Sequence, residues 1–140
     1  METGILLFAK EKYEDALNIF NDALKIRIQA FGSKDPKVAM VLNNIACAHF
    51  EMGNPLNALA TFKEAREVEQ HALGSSQNAN LDLLHVATTL SNIGYIQLQI
   101  KNYEEAGGVL EDALLVSLVN IIVHFCSNIF ILGATVCPWR

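Results

Sequence analysis

Residues 38–73 read VAMVLNNIACAHFEMGNPLNALATFKEAREVEQHAL, and the organisation of the whole chain follows from them. An apolar-striped segment (38–52) meets a turn at Gly53-Asn54-Pro55 and gives way to a second striped segment (56–73). Each striped segment is long enough for about four helical turns. Gly53 supplies the left-handed backbone that ends a helix, and Pro55 suits the first position of the next. The stretch predicts a helical hairpin.

The hairpin recurs. Ala58, Phe62 and Ala65 stand at i, i+4, i+7, and Ala16, Phe20 and Ala23 have the same spacing 42 residues earlier. Ala106, Leu110 and Ala113 have it 48 residues later. Small, large, small on one face lets two helices approach closely while one bulky side chain fills the space between them. Gly4 takes the place held later by Ala46 and Gly94. The segment before Tyr13 therefore matches only the second half of a first helix, and the chain reads as beginning inside a repeat: a stub helix, or a piece of a longer array.

These features resemble the tetratricopeptide repeat, in particular the long-repeat variety of kinesin light chains and nephrocystin-3-like proteins. The resemblance rests on Leu42-Asn43-Asn44-Ile45-Ala46, Gly53, Ala58, Phe62 and Ala65, and on Leu90-Ser91-Asn92-Ile93-Gly94, Tyr103, Ala106 and Ala113. The connector Ala23-Leu24-Lys25-Ile26-Arg27, Phe31-Gly32 and Asp35-Pro36-Lys37-Val38-Ala39 is similar to the inter-repeat signature of that variety. Three phased copies are far more specific than any single position. The resemblance implies an all-α, right-handed solenoid of about three helix-turn-helix units, at roughly 1–34, 35–80 and 81–115, followed by an apolar tail at 116–140.

Composition narrows the function classes. The 140 residues carry a net charge of −5, without the basic patch that phosphate neutralisation needs, so no nucleic-acid partner is expected. Cys47, Cys126 and Cys137 form no paired spacing, which fits buried free thiols in a reducing, cytoplasmic setting. His49, His71, His85 and His124 do not combine with the cysteines into a metal-ligand pattern. No phosphate loop or nucleophile–base constellation is visible, so neither cofactor, metal nor enzyme activity is expected. Met1-Glu2-Thr3 lacks the basic flank of a signal peptide.

The tail is a different material. All 15 acidic residues and nine of the ten basic ones lie at or before Asp112, and none falls between Ala113 and Trp139. Residues 114–136 would form a helix of about 34 Å, enough to cross a bilayer. Ser117, Asn120, His124, Ser127 and Asn128 share one face of it, continuing the Ala106–Leu110–Ala113 line. Three readings stand open: a membrane anchor, a packed or dimer-forming cap, and sequence running on past a repeat boundary. Gly107-Gly108 is expected to weaken or bend the preceding helix. With no polar cap at either end, exposed apolar surface predicts self-association, membrane contact or further repeats.

The first helices of the units would line a concave groove. Asn43, Asn44, Cys47 and Phe50, with Met40, are placed there from the second unit, and Thr88, Ser91, Asn92 and Tyr95, with Leu98, from the third. Amide side chains donate to and accept from an extended peptide backbone without reading its sequence. The resemblance assigns Asn44 and Asn92 to holding ligand backbone; the alternative is that they satisfy groups between repeats. Ile5 and Phe8 offer an apolar end to the groove or pack in the core. The carboxylate clamp of another branch of the family is not expected, because Thr88 and Asn92 stand where its basic residues would. The functional expectation is a non-catalytic adaptor binding a protein or peptide, with a membrane-tethered scaffold as the alternative.

Overall fold

A computed structural model describes residues 1–74 and 79–131, with side chains over 1–74 and 83–124. Among them are six helices: α1 (Glu2–Ala9), α2 (Tyr13–Phe31), α3 (Pro36–Glu51), α4 (Pro55–Leu73), α5 (Ala79–Gln99) and α6 (Tyr103–Ile131). Each helix packs on its sequence neighbour, so the three hairpins stack into an all-α solenoid ending in a long apolar helix. The loop expected near 75–80, a cap from Asn80 or Asp82, and Cys126, Ser127, Asn128 and Cys137 fall outside the described residues or side chains.

All three hairpin turns close in the same way. The N–H of Lys12 donates to Leu7 O, that of Asn54 to His49 O and that of Asn102 to Gln97 O, each spanning five residues at 2.8–3.0 Å. This is the bonding that ends a helix on a left-handed residue. That residue is Gly53 (φ 76°) in the second turn, as its sequence suggests, but Glu11 (φ 58°) and Lys101 (φ 63°) in the other two. Between hairpins, Gly32 (φ 86°) ends α2. Asp35 then caps α3, its Oδ1 accepting from Lys37 N at 2.8 Å, with Pro36 in the first turn.

The small–large–small rows form the core. Ala58, Phe62 and Ala65 are buried, as are Ala16, Phe20, Ala106 and Ala113. Phe62 joins Ala46, Ile93 and Ile96, so one aromatic ring ties α4 to both α3 and α5. Phe20 does the same for α2 and α3 beside Val41 and Ile45. Burying a side chain of this size contributes about 2–3 kcal/mol. Gly4 and Gly94 sit where Phe20 and Leu110 press closest: a Cβ on Gly94 would lie 2.6 Å from Leu110.

The last hairpin ends in α6. The helix passes through Gly107-Gly108 without interruption and continues through 115–116, where the tail was set apart. Two glycines cost helix propensity, but the packing of Ala106, Val109 and Ala113 onto α4 and α5 holds the backbone in register. Ser117 and Asn120 lie on the half-buried side, as the polar stripe predicts. Leu114, Leu115, Leu118, Val119, Ile121 and Ile122 are all exposed.

Candidate peptide-binding groove

A cleft of about 290 Å³ opens across the first helices of the three units. Phe8 of α1 stands on one side, Cys47, Phe50 and Glu51 of α3 in the middle, and Asn92, Tyr95 and Ile96 of α5 on the other, with Phe62 beneath. The helical period builds this wall. Met40, Asn44, Cys47 and Glu51 repeat at i, i+4, i+7, i+11 on α3, and Thr88, Ser91, Asn92 and Tyr95 lie along α5. Phe50 and Tyr95 meet edge to face at 5.6 Å across the cleft, and Phe8 meets Tyr13 in the same manner at 5.2 Å. Rings held this way present a fixed apolar surface.

The eight residues expected in the groove sort into distinct roles. Cys47, Phe50, Asn92 and Tyr95 line the cleft together. Asn44 shares their side of α3, one turn before Cys47. Among the described residues, the amides of Asn44 and Asn92 have no hydrogen-bond partner, though both side chains are half-buried. Thr88 and Ser91 turn their hydroxyls back onto their own helix, donating to Leu84 O at 2.9 Å and Ala87 O at 2.8 Å.

Asn43 departs from the expectation. Its Nδ2 donates to Thr89 Oγ1 at 2.9 Å and reaches Glu69 Oε1 at 3.4 Å. The Thr89 hydroxyl lies 2.7 Å from the same Glu69 oxygen and 3.0 Å from His85 O. One residue on a helix is a turn of about 100°, and that rotates Asn43 out of the groove and into the junction of α3, α4 and α5. There a buried carboxylate needs donors, and Asn43 is a bridge between units.

Phe62, Glu51 and Ile96 were not anticipated in the cleft. Glu51 was legible, because it continues the Asn44–Cys47 stripe by one turn. The Cys47 thiol is pushed above its ordinary pKa, first by burial and then by the Glu51 carboxylate. It therefore remains protonated at neutral pH and is a poor nucleophile. Among the described residues, no three His, Cys, Asp or Glu side chains come together as a metal site would need.

A family model described as "Tetratricopeptide repeat" matches residues 3–70, which span α1 to α4. Just under half of the chain is thus similar to tetratricopeptide repeats. The third hairpin, beyond the matched residues, packs in the same way, with Gly94 against Leu110 as Ala46 is against Phe62. The chain is also similar to the "Tetratricopeptide repeat protein 19 homolog, mitochondrial" of Drosophila melanogaster, with 30% identity over 87 residues. The match takes in 59% of this chain and 24% of that protein, so the chain spans about a quarter of the relative's length. Tetratricopeptide repeats in general mediate protein–protein interaction and are typically non-catalytic.

Proposed function

We propose that the chain is a non-catalytic adaptor that holds an extended peptide in the cleft between α1, α3 and α5, in the manner of the long-repeat variety of the family. One observation carries this reading: the half-buried amides of Asn44 and Asn92 have no partner among the described residues, while Asn43, Thr88 and Ser91 beside them are all engaged. Two spare amides, one on α3 and one on α5, beside an aromatic-lined cleft, suit a ligand's backbone. The test selects peptides from a displayed random library on the intact chain. Replacing both Asn44→Ala and Asn92→Ala removes about two hydrogen bonds of roughly 1 kcal/mol each, or about tenfold or more in affinity. Unchanged affinity with an unchanged melting curve would sink the reading. It carries the cytoplasmic setting expected from the sequence.

A second reading is favoured by α6. Residues Tyr103–His124 are long and apolar enough to cross a membrane, and most of that helix is uncovered. In this reading α6 tethers a scaffold whose repeats recruit partners. The Drosophila relative is named as mitochondrial, which makes vesicles of mitochondrial lipid composition the first probe. The full chain should float with them, and Leu118→Glu with Ile122→Glu should abolish flotation. Equal flotation of both proteins, or of neither, would exclude the tether.

A further inference from the structure

The apolar cleft carries a charge whose sign bears on its ligand. Glu51 stands in the cleft wall and is the one charged side chain lining it. It is exposed and has no ion-pair partner among the described residues. Beside it, past Met52, the turn from α1 to α2 forms an open hollow of about 470 Å³ lined by Glu11, Lys12, Tyr13, Glu14 and Asp15. Counting Lys10, four acids face two lysines at this end, and none of the six is paired among the described residues. The Tyr13 phenol is raised above its ordinary pKa by lost hydration and then by Glu51 and Glu11, so the two carboxylates act on one spot. At the α5 end the cleft is lined by Asn92, Tyr95 and Ile96, which carry no charge.

Resting on the peptide-groove reading, we infer that the ligand is a basic, aromatic-anchored peptide: one bulky apolar side chain seated among Phe8, Phe50 and Tyr95, with a lysine or arginine next to it directed at Glu51 and the α1–α2 turn. A cleft of about 290 Å³ accepts one or two such side chains. A cation leaving the anchor meets both a carboxylate and the edge of the aromatic cluster, where ring faces also attract it. An acidic neighbour would meet unscreened like charge at the same place. The asymmetry also fixes direction, with the basic side of the peptide over the α1–α2 turn.

The experiment measures binding of three labelled octapeptides to the full chain by fluorescence anisotropy at low salt. One carries a single tryptophan flanked by lysines; the second has glutamates for the lysines; the third has alanine for the tryptophan. The lysine peptide should bind about tenfold more tightly than the glutamate peptide, the preference shrinking with added salt. Glu51→Lys, a surface change, should erase or reverse it. Loss of binding in the alanine peptide identifies the anchor. If the glutamate peptide binds as well as the lysine peptide, while both need tryptophan and Asn92, the charge inference is overturned and the groove reading stands. If no peptide binds to a chain that circular dichroism shows folded, both are overturned.

Discussion

Two glycines in the same hairpin should respond oppositely to one extra methyl group. A Cβ on Gly94 would lie 2.6 Å from Leu110 Cγ and Cδ2, while one on Gly107 meets nothing within 4 Å. Both glycines lie inside helices, so each Gly→Ala change gains about 1 kcal/mol of helix propensity. At Gly107 that gain stands alone, and Gly107→Ala should stabilise by about 1 kcal/mol. At Gly94 the new methyl forces Leu110 or the whole of α6 to give way, at about 1–3 kcal/mol. Gly94→Ala should therefore destabilise by about 1 kcal/mol net. The two proteins should differ by about 2 kcal/mol, or roughly 6 °C in thermal midpoint. A double-mutant cycle isolates the cause. In a Leu110→Ala background the contact is gone, and Gly94→Ala should become stabilising. Should the two single changes shift the midpoint equally and in the same direction, the close approach of α5 and α6 would be refuted.

Lys101 holds a left-handed backbone at φ 63°, which costs a residue with a side chain about 1–2 kcal/mol. Lys101→Gly should raise stability by up to about 1 kcal/mol after the entropy of the unfolded glycine is deducted, whereas an ordinary surface glycine would lower it; chemical denaturation decides the sign. Thr89→Val leaves the Glu69 carboxylate and the Asn43 amide short of the hydroxyl between them, at a cost of about 1–3 kcal/mol in the same assay. Cys47 should alkylate slowly at neutral pH, because its raised pKa keeps the thiol protonated, and faster as pH rises through that value. Mass spectrometry of the Cys47 peptide reads this rate. Glu51→Gln removes the smaller of the two causes and should speed it, and native labelling as fast as in denaturant would contradict the burial.

How legible the molecule was depends on the range over which each feature is determined. The rows Ala16–Phe20–Ala23 and Ala58–Phe62–Ala65 lie within one helix turn or two, so period and size alone placed all but the half-buried Ala23 in the core. The equivalence of Gly4, Ala46 and Gly94 was equally readable, and each does face the bulky residue of the following helix. The turn residues Glu11 and Lys101 were not, because only glycine advertises a left-handed backbone. Their conformation comes from the same five-residue closing bond that Gly53 makes easily. Of the neighbours Asn43 and Asn44, the sequence could not choose which one is drawn into the junction between units. That choice depends on Glu69 and Thr89, which arrive from α4 and α5, 26 and 46 residues along the chain.

The phase of the repeats links these observations to the apolar surface of α6. Arg27, Glu69 and Ser117 occupy the same place on the second helix of successive units, 42 and 48 residues apart. Arg27 Nη1 donates to Lys37 O at 2.7 Å and ties α2 to the start of α3. Glu69 receives Thr89 and ties α4 to α5. Ser117 instead donates to Ala113 O of its own helix at 2.8 Å and, among the described residues, bonds to no other element. At the first two junctions a long charged side chain spans the gap to the next helix. At the third the polar group is short and satisfied in place, and its surroundings have changed from Lys25, Glu67 and their neighbours to Leu114, Leu115 and Leu118. The face that joins units by hydrogen bonds in α2 and α4 is thus flanked, in α6, by exposed leucines. The charged side chain of the first two junctions is absent at this place in α6. Its replacement by serine and leucine is the physical reason to test lipid first on α6 and peptide first on the cleft.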